Sequence, residues 1–289
     1  VFTAMFSGIP AHSKVANQAA AEAIERARAK KLFTAGNFRE SLEVYRQLAL
    51  QPKTLPTTVS GDLRQAIFCL GRLGRTSEVD ALRDKVVTVH RGNWRLLLVA
   101  ATTLADGPHT GQIVAGEFKR GGLRGVVRGP VRARFANSFR RDRSIALGWL
   151  EQALPLVAAE NGKPGQQQRG RFHLELARIL LKGQDGGESW RLANLTDTTT
   201  LPDLEENQFG FNRFGGTPRG APVDRKGRPV FHSDSKTYKA ATSDGQRWRW
   251  ALSQAVRVDG ELRAEALVSR ARFLSGQFGV QTMRQAGIQ

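Results

Sequence analysis

One short skeleton occurs twice in the first third of the chain: Leu32, Gly36 and Glu40 are matched 38 residues later by Leu70, Gly74 and Glu78. Around the first copy, Leu32 and Phe33 close one apolar stripe, and Phe38, Leu42, Tyr45 and Ala49 recur at three- and four-residue spacing beyond the glycine. That period belongs to helices that bury one face. Glycine enters the left-handed backbone region without steric cost and so ends a helix cleanly, which makes Gly36 the turn of a helical hairpin. The second copy places Leu63, Ala66, Ile67 and Leu70 before Gly74, then Val79, Leu82, Val86 and Val89 after it. Residues 51–60, with Pro52 and Pro56, absorb the excess over a helical-pair repeat of about 34 residues. A third helix, Trp94 to Leu104, ends at Asp106-Gly107-Pro108.

Ala35-Gly36-Asn37-Phe38-Arg39-Glu40-Ser41-Leu42, followed by Tyr45, resembles the turn and second helix of a tetratricopeptide repeat. The second copy departs from that pattern, with Thr76 where the first has Phe38 and Asp80 where it has Leu42. The chain is therefore read as all-α: a flexible terminus over 1–15, then tetratricopeptide-like helical hairpins over 16–108. A basic Gly/Arg-rich insertion follows over 109–138, irregular apart from a short strand at 112–118. A helical hairpin spans 139–197, and Pro155 is expected to kink or end its first helix. Residues 198–243 form an irregular Gly/Pro-rich connection, with a small β-hairpin around Pro222 to Phe231 whose turn ends at Gly227. A C-terminal helical hairpin occupies 244–289, and its end at Gln289 without a polar cap suggests that the natural protein continues.

Charge narrows the possible partners. The 289 residues carry 44 Lys plus Arg against 26 Asp plus Glu, a formal net charge of +18 with a pI near 11.1. Of the 44, 33 are Arg, a bias that GC-rich coding produces as readily as selection for an acidic partner does. The largest concentration runs from Lys119 to Arg143: Lys119, Arg120, Arg124, Arg128, Arg132, Arg134, Arg140, Arg141 and Arg143 against Asp142 alone. Arginine forks pair with phosphates and carboxylates, and Phe135 and Phe139 are placed to stack on bases, so nucleic-acid binding is the alternative reading of this segment. The other reading is a solvated or partner-facing loop. An acidic stretch without Lys or Arg, holding Asp197, Asp203, Glu205 and Glu206, gives the loop an intramolecular partner that would neutralise part of its charge.

Catalytic chemistry has little to stand on. The lone Cys69 excludes an internal disulfide and a Cys-rich metal site, and its place between Ile67 and Leu70 reads as a buried structural thiol. The five histidines, His12, His90, His109, His173 and His232, are isolated in sequence and read as surface or locally bonded residues. No nucleotide-binding glycine motif is present, so neither an enzyme nor a cofactor is expected. No stretch is long and apolar enough to span a membrane. Val1 to Ser13 lacks the basic leader and full apolar core of an intact secretory signal.

Several phrases together resemble the amino-terminal region of large bacterial alpha-2-macroglobulin-like proteins. They are Gly36 to Ala49, Gly107-Pro108-His109 with Ile113 to Phe118, Ser189-Trp190-Arg191-Leu192, the hairpin at 221–231, and Gln277 to Met283. The resemblance implies a helical-repeat leader preceding β-sandwich domains in an extracytoplasmic protease trap. The Cys-x-Glu-Gln thioester of that family is missing, since Leu70, Gly71 and Arg72 follow Cys69, so trapping itself does not carry over. What remains is a non-catalytic protein-interaction or architectural module, whose partner is another protein or neighbouring domains of a longer polypeptide. Lys30, Lys31, Arg64 and Arg72 have two readings: positive charge on the first helices of the hairpins, which form the usual peptide groove of such arrays, or simply solvated helix faces.

Overall fold

A computed structural model of the chain describes residues 11–121, 133–184, 186–206 and 224–278. Two compact units form, one over 1–100 and one over 101–289.

The first unit holds α1 (Ala11–Thr34), α2 (Phe38–Leu50), α3 (Val59–Arg72) and α4 (Val79–Val89), with a single 3-10 turn (Thr76–Glu78) leading into α4. The doubled skeleton has a direct physical cause. At the end of α1 the Asn37 amide donates to the Leu32 carbonyl (2.9 Å) and the Gly36 amide to that of Phe33 (3.0 Å). At the end of α3 the Arg75 amide donates to the Leu70 carbonyl (2.9 Å) and Gly74 to Gly71 (3.1 Å). Both are Schellman caps, and both need a left-handed residue, met by Gly36 at φ 82 and Gly74 at φ 70. Leu42, Ala49, Val59, Leu63, Ala66 and Cys69 fill the core beneath these turns, all fully buried. Burial raises the pKa of the Cys69 thiol, which donates to the Ser41 hydroxyl, as a structural thiol does.

Helix α5 (Trp94–Ala105) runs from the first unit into the second. There the segment read as irregular is largely sheet. Strands β1 (Thr110–Val114), β2 (Glu117–Arg120), β3 (Arg134–Asn137) and β4 (Glu205–Glu206) form an antiparallel sheet in the order β2-β1-β3-β4. The single strand expected at 112–118 is instead a hairpin turning at Ala115 (φ 51) and Gly116 (φ 84), with Val114 opposite Glu117. Two successive left-handed residues match the twist of the flanking strands. All-α thus gives way to a mostly helical fold with a small four-stranded antiparallel sheet.

Helices α6 (Phe139–Ala159), α7 (Gln166–Leu181), α8 (Asp244–Val258) and α9 (Arg263–Phe278) complete the unit. Pro155 does not end α6, which continues to Ala159. The helix loses one internal hydrogen bond there, and the packing of Ala153 and Val157, both buried, carries it past that point. A 3-10 helix (Gly186–Ala193) holds Trp190 and Leu192. The turn expected near Gly227 is present, with the Gly227 amide donating to Asp224 and the Asp224 amide to the Arg228 carbonyl, both at 2.9 Å. Residues 221–223 of that hairpin, and 279–289 of the last segment, lie outside the described residues.

Candidate functional site

Two arginines of the basic run, Arg120 and Arg143, fold inward. Arg120, at the end of β2, forks onto Asp142 in the first turn of α6 with bonds of 2.7 and 2.9 Å. Ser138 Oγ (2.7 Å) and His109 Nδ1 (2.8 Å) complete the shell of that carboxylate. Burial would raise the Asp142 pKa, but the bonds from His109, Arg120 and Ser138 outweigh it and hold the carboxyl below its usual range. Arg143, one residue on, reaches the Leu180 carbonyl (2.7 Å), the Ile179 carbonyl (3.3 Å), Thr196 Oγ1 (2.7 Å) and Asp244 (2.9 Å). A guanidinium thus caps the negative end of α7, and the carboxylate it pairs with stands at the positive end of α8, both favourable placements.

The remaining described members of the run lie nearer the surface. Arg134 pairs with Glu206 (2.5 Å) and Arg140 with Glu205 (2.9 Å), so the acidic stretch and the basic run meet where β4 joins β3. Arg141 donates to the Pro202 carbonyl (3.3 Å), and Lys119 pairs with Glu117 (2.6 Å). Arg124, Arg128 and Arg132 lie outside the described residues. Phe139 stands edge-on to His109 with ring centroids 5.0 Å apart, which places it in packing, while Phe135 stays half-exposed. Among the described residues Arg120 and Arg143 are buried latches, while Arg134 and Arg140 stay exposed and Lys119 half-exposed in surface ion pairs.

In the first unit Arg83 is buried, but the cations singled out in the sequence stay outside. Arg26 of α1 forks onto the buried Asp62 of α3, and Phe33 of α1 meets Phe68 of α3 at 5.4 Å, so the first helices of the two hairpins are neighbours. Phe33 also meets Phe38 at 5.2 Å, and the Arg72 guanidinium lies 4.9 Å above the Phe38 ring. Lys30, Lys31, Arg64 and Arg72 are exposed on the same two helices. So are two large apolar side chains, Ile24 at 68% and Phe68 at 54% of their surface. Gly61, Arg64, Phe68 and Arg72 recur at three and four residues along α3 and form one outward stripe.

A third feature has no counterpart in the sequence reading. A cavity of about 920 Å³ opens between α6, α7, α8 and the chain at 237–239, and His173, Tyr238, Trp250 and Pro155 are among its walls. His173, read from sequence as a surface or locally bonded residue, is only 7% exposed, and its Nδ1 has no hydrogen-bond partner. Tyr238 is 3% exposed, and its hydroxyl also has none. The only sequence signal was the density of aromatic and polar residues over 232–250, which carries no helical period before residue 244 and so gives no face to assign.

Among the described residues no group of three or more His, Cys, Asp and Glu side chains is placed to hold a metal ion, and no helix is long and apolar enough to cross a membrane. Comparison of the chain with known protein families, with curated proteins and with solved structures finds no match.

Proposed function

We propose that the chain is a non-catalytic protein-binding module whose first unit acts as a short tetratricopeptide-like array. The observation that carries this reading is the repeated hairpin: two Schellman-capped helical pairs, 38 residues apart, whose first helices lie side by side through Arg26–Asp62 and Phe33–Phe68. In helical arrays of this kind the first helices of each pair form the surface that receives a peptide. Here α1 and α3 carry exposed Ile24 and Phe68 beside Lys30, Lys31, Arg64 and Arg72. An exposed aromatic ringed by cations selects an acidic segment bearing one apolar anchor. The partner is a protein or a neighbouring domain of the same polypeptide, in keeping with the resemblance to the leader of bacterial alpha-2-macroglobulin-like proteins, which also favours an extracytoplasmic setting. The burial of Arg120 and Arg143 in internal pairs counts against nucleic-acid binding through 119–143, since it takes both guanidinium groups off the surface.

Fluorescein-labelled synthetic peptides, rich in Asp and Glu around a single Leu, Phe or Trp, test this reading by anisotropy. Saturable binding should weaken about tenfold in Phe68→Glu, as loss of a central anchor does. Charge reversal at Lys30 and Lys31 should weaken it further and flatten its salt dependence. Indifference of binding to Phe68→Glu, or no binding by any peptide, overturns the proposal.

A further inference from the structure

The cavity between α6, α7 and α8 has the size of small-molecule sites, which commonly enclose about 300 to 1,000 Å³. Its walls are mostly apolar, with Leu154, Pro155, Val258 and the Trp250 indole contributing. Trp250 stands between two polar aromatic rings and meets both edge-on, His173 at 5.6 Å and Tyr238 at 5.7 Å. Those two side chains hold the unpaired Nδ1 and hydroxyl, and a buried polar atom without a partner is costly to a fold. Pro155 adds a third polar group, because it has no amide hydrogen to give the Glu151 carbonyl on the same wall.

Apart from Lys239, which stays exposed to water, the ionic groups around the cavity are already committed. Arg169 donates to the Gly162 carbonyl (2.7 Å) and the Pro164 carbonyl (3.2 Å) and lies 3.8 Å from Glu160, while Glu151 accepts from Thr198 (2.8 Å). Burial pushes His173 down to about 4 and Tyr238 upward, so both are uncharged at neutral pH. The buried polar groups left over, on His173 and Tyr238, are neutral, and they flank a flat aromatic wall.

We propose that this cavity binds a neutral, largely apolar small molecule with a planar body and one hydrogen-bond acceptor, the body against Trp250 and the acceptor at the Tyr238 hydroxyl, with His173 beside it. The hydroxyl can donate and the imidazole offers one donor and one acceptor, so the pair suits a ketone, ester or amide oxygen better than a carboxylate. An ionised ligand finds no uncommitted buried charge here to replace its hydration.

The probe is 6-propionyl-2-dimethylaminonaphthalene, a neutral naphthalene with a single ketone whose emission shifts to the blue on leaving water. Titrated into the full chain, it should bind saturably at one site and quench tryptophan emission. Tyr238→Phe removes the donor and should weaken binding about fivefold, the worth of one neutral hydrogen bond. The same change removes an unpaired buried hydroxyl, so stability should hold or rise while affinity falls. A residue with a merely structural role does not separate the two in that direction. Ala158→Trp, at an exposed position on the wall, fills the opening without touching the core and should weaken binding at least tenfold. In competition, the anionic 8-anilinonaphthalene-1-sulfonate should displace the ketone from the cavity only at concentrations at least tenfold above the ketone's own Kd. No saturable binding, binding unaffected by both substitutions, or displacement of the ketone by the sulfonate at equal affinity overturns the proposal.

Discussion

Arg143 donates to Asp244 at 2.9 Å across 101 residues of chain, with 7% and 1% of the two side chains exposed. The pair ties the first turn of α6 to the first residue of α8. Arg143→Met leaves the buried Asp244 with Arg247, at 3.9 Å, as its remaining cation and takes a donor from the α7 carbonyls. The second unit should lose about 3–5 kcal/mol, the usual cost of breaking a buried pair from one side. Arg143→Met with Asp244→Asn should lose less than the sum of the single changes, since the stranded charge is gone. Urea unfolding followed by tryptophan emission measures this, because four of the five tryptophans, Trp149, Trp190, Trp248 and Trp250, lie in the second unit.

The partly exposed pairs behave differently. Arg134–Glu206 and Arg140–Glu205 hold β4 beside β3 with 56% and 51% of the arginine side chains in water. Glu205→Gln with Glu206→Gln should cost less than about 1 kcal/mol per pair at low ionic strength, and nothing near 1 M salt. Hydrogen exchange at the Asn137 amide, which faces β4 opposite Glu205, should speed up in the double variant only at low salt. A large, salt-independent loss would mean that the backbone pairing, not the charges, depends on these glutamates.

The parts of the fold that were legible are those whose cause is local. Gly36 and Gly74 end their helices through contacts confined to six residues, so spacing alone reveals them. The β1–β2 turn was missed because Ala115, at φ 51, occupies a position usually marked by Asn or Gly. The sharing of charge between the basic run and Glu205 and Glu206 could be read from charge blocks. The sorting of Arg120 and Arg143 into buried latches could not, because nothing near Arg143 in the chain points to Asp244. The cavity was invisible for the same reason: Pro155, His173, Tyr238 and Trp250 come from four separate segments, and each looks ordinary in its own.

Gly245 sets two known effects against each other. Alanine in place of glycine within a helix ordinarily gains about 1 kcal/mol. Here an added Cβ would lie 2.3 Å from His232 Cγ and Nδ1, and His232 is itself only 9% exposed. The clash should win, with Gly245→Ala losing about 1–3 kcal/mol. His232→Ala vacates the space, so adding Gly245→Ala to that variant should be neutral or stabilising in the same urea assay. A Gly245→Ala protein as stable as the parent would show that the 224–243 segment yields freely to α8.

His173 makes the second unit sensitive to mild acid. Burial lowers its pKa from 6.5 to about 4 in the folded protein. The unfolded chain therefore takes up a proton as pH falls through 6.5, while the native state resists until about pH 4. Stability is complete above pH 6.5 and declines as pH drops toward 4, by about 3 kcal/mol in all from this group. His232 shifts the same way, through burial and the nearby Arg249, and adds to the slope. Asp142, held below its usual range, releases its share only at still lower pH. His173→Phe keeps an aromatic ring between Phe172 and Trp250 but cannot titrate. Urea midpoints taken between pH 7 and pH 4.5 should fall for the parent chain and fall distinctly less for this variant. Parallel slopes would place the acid sensitivity outside α7.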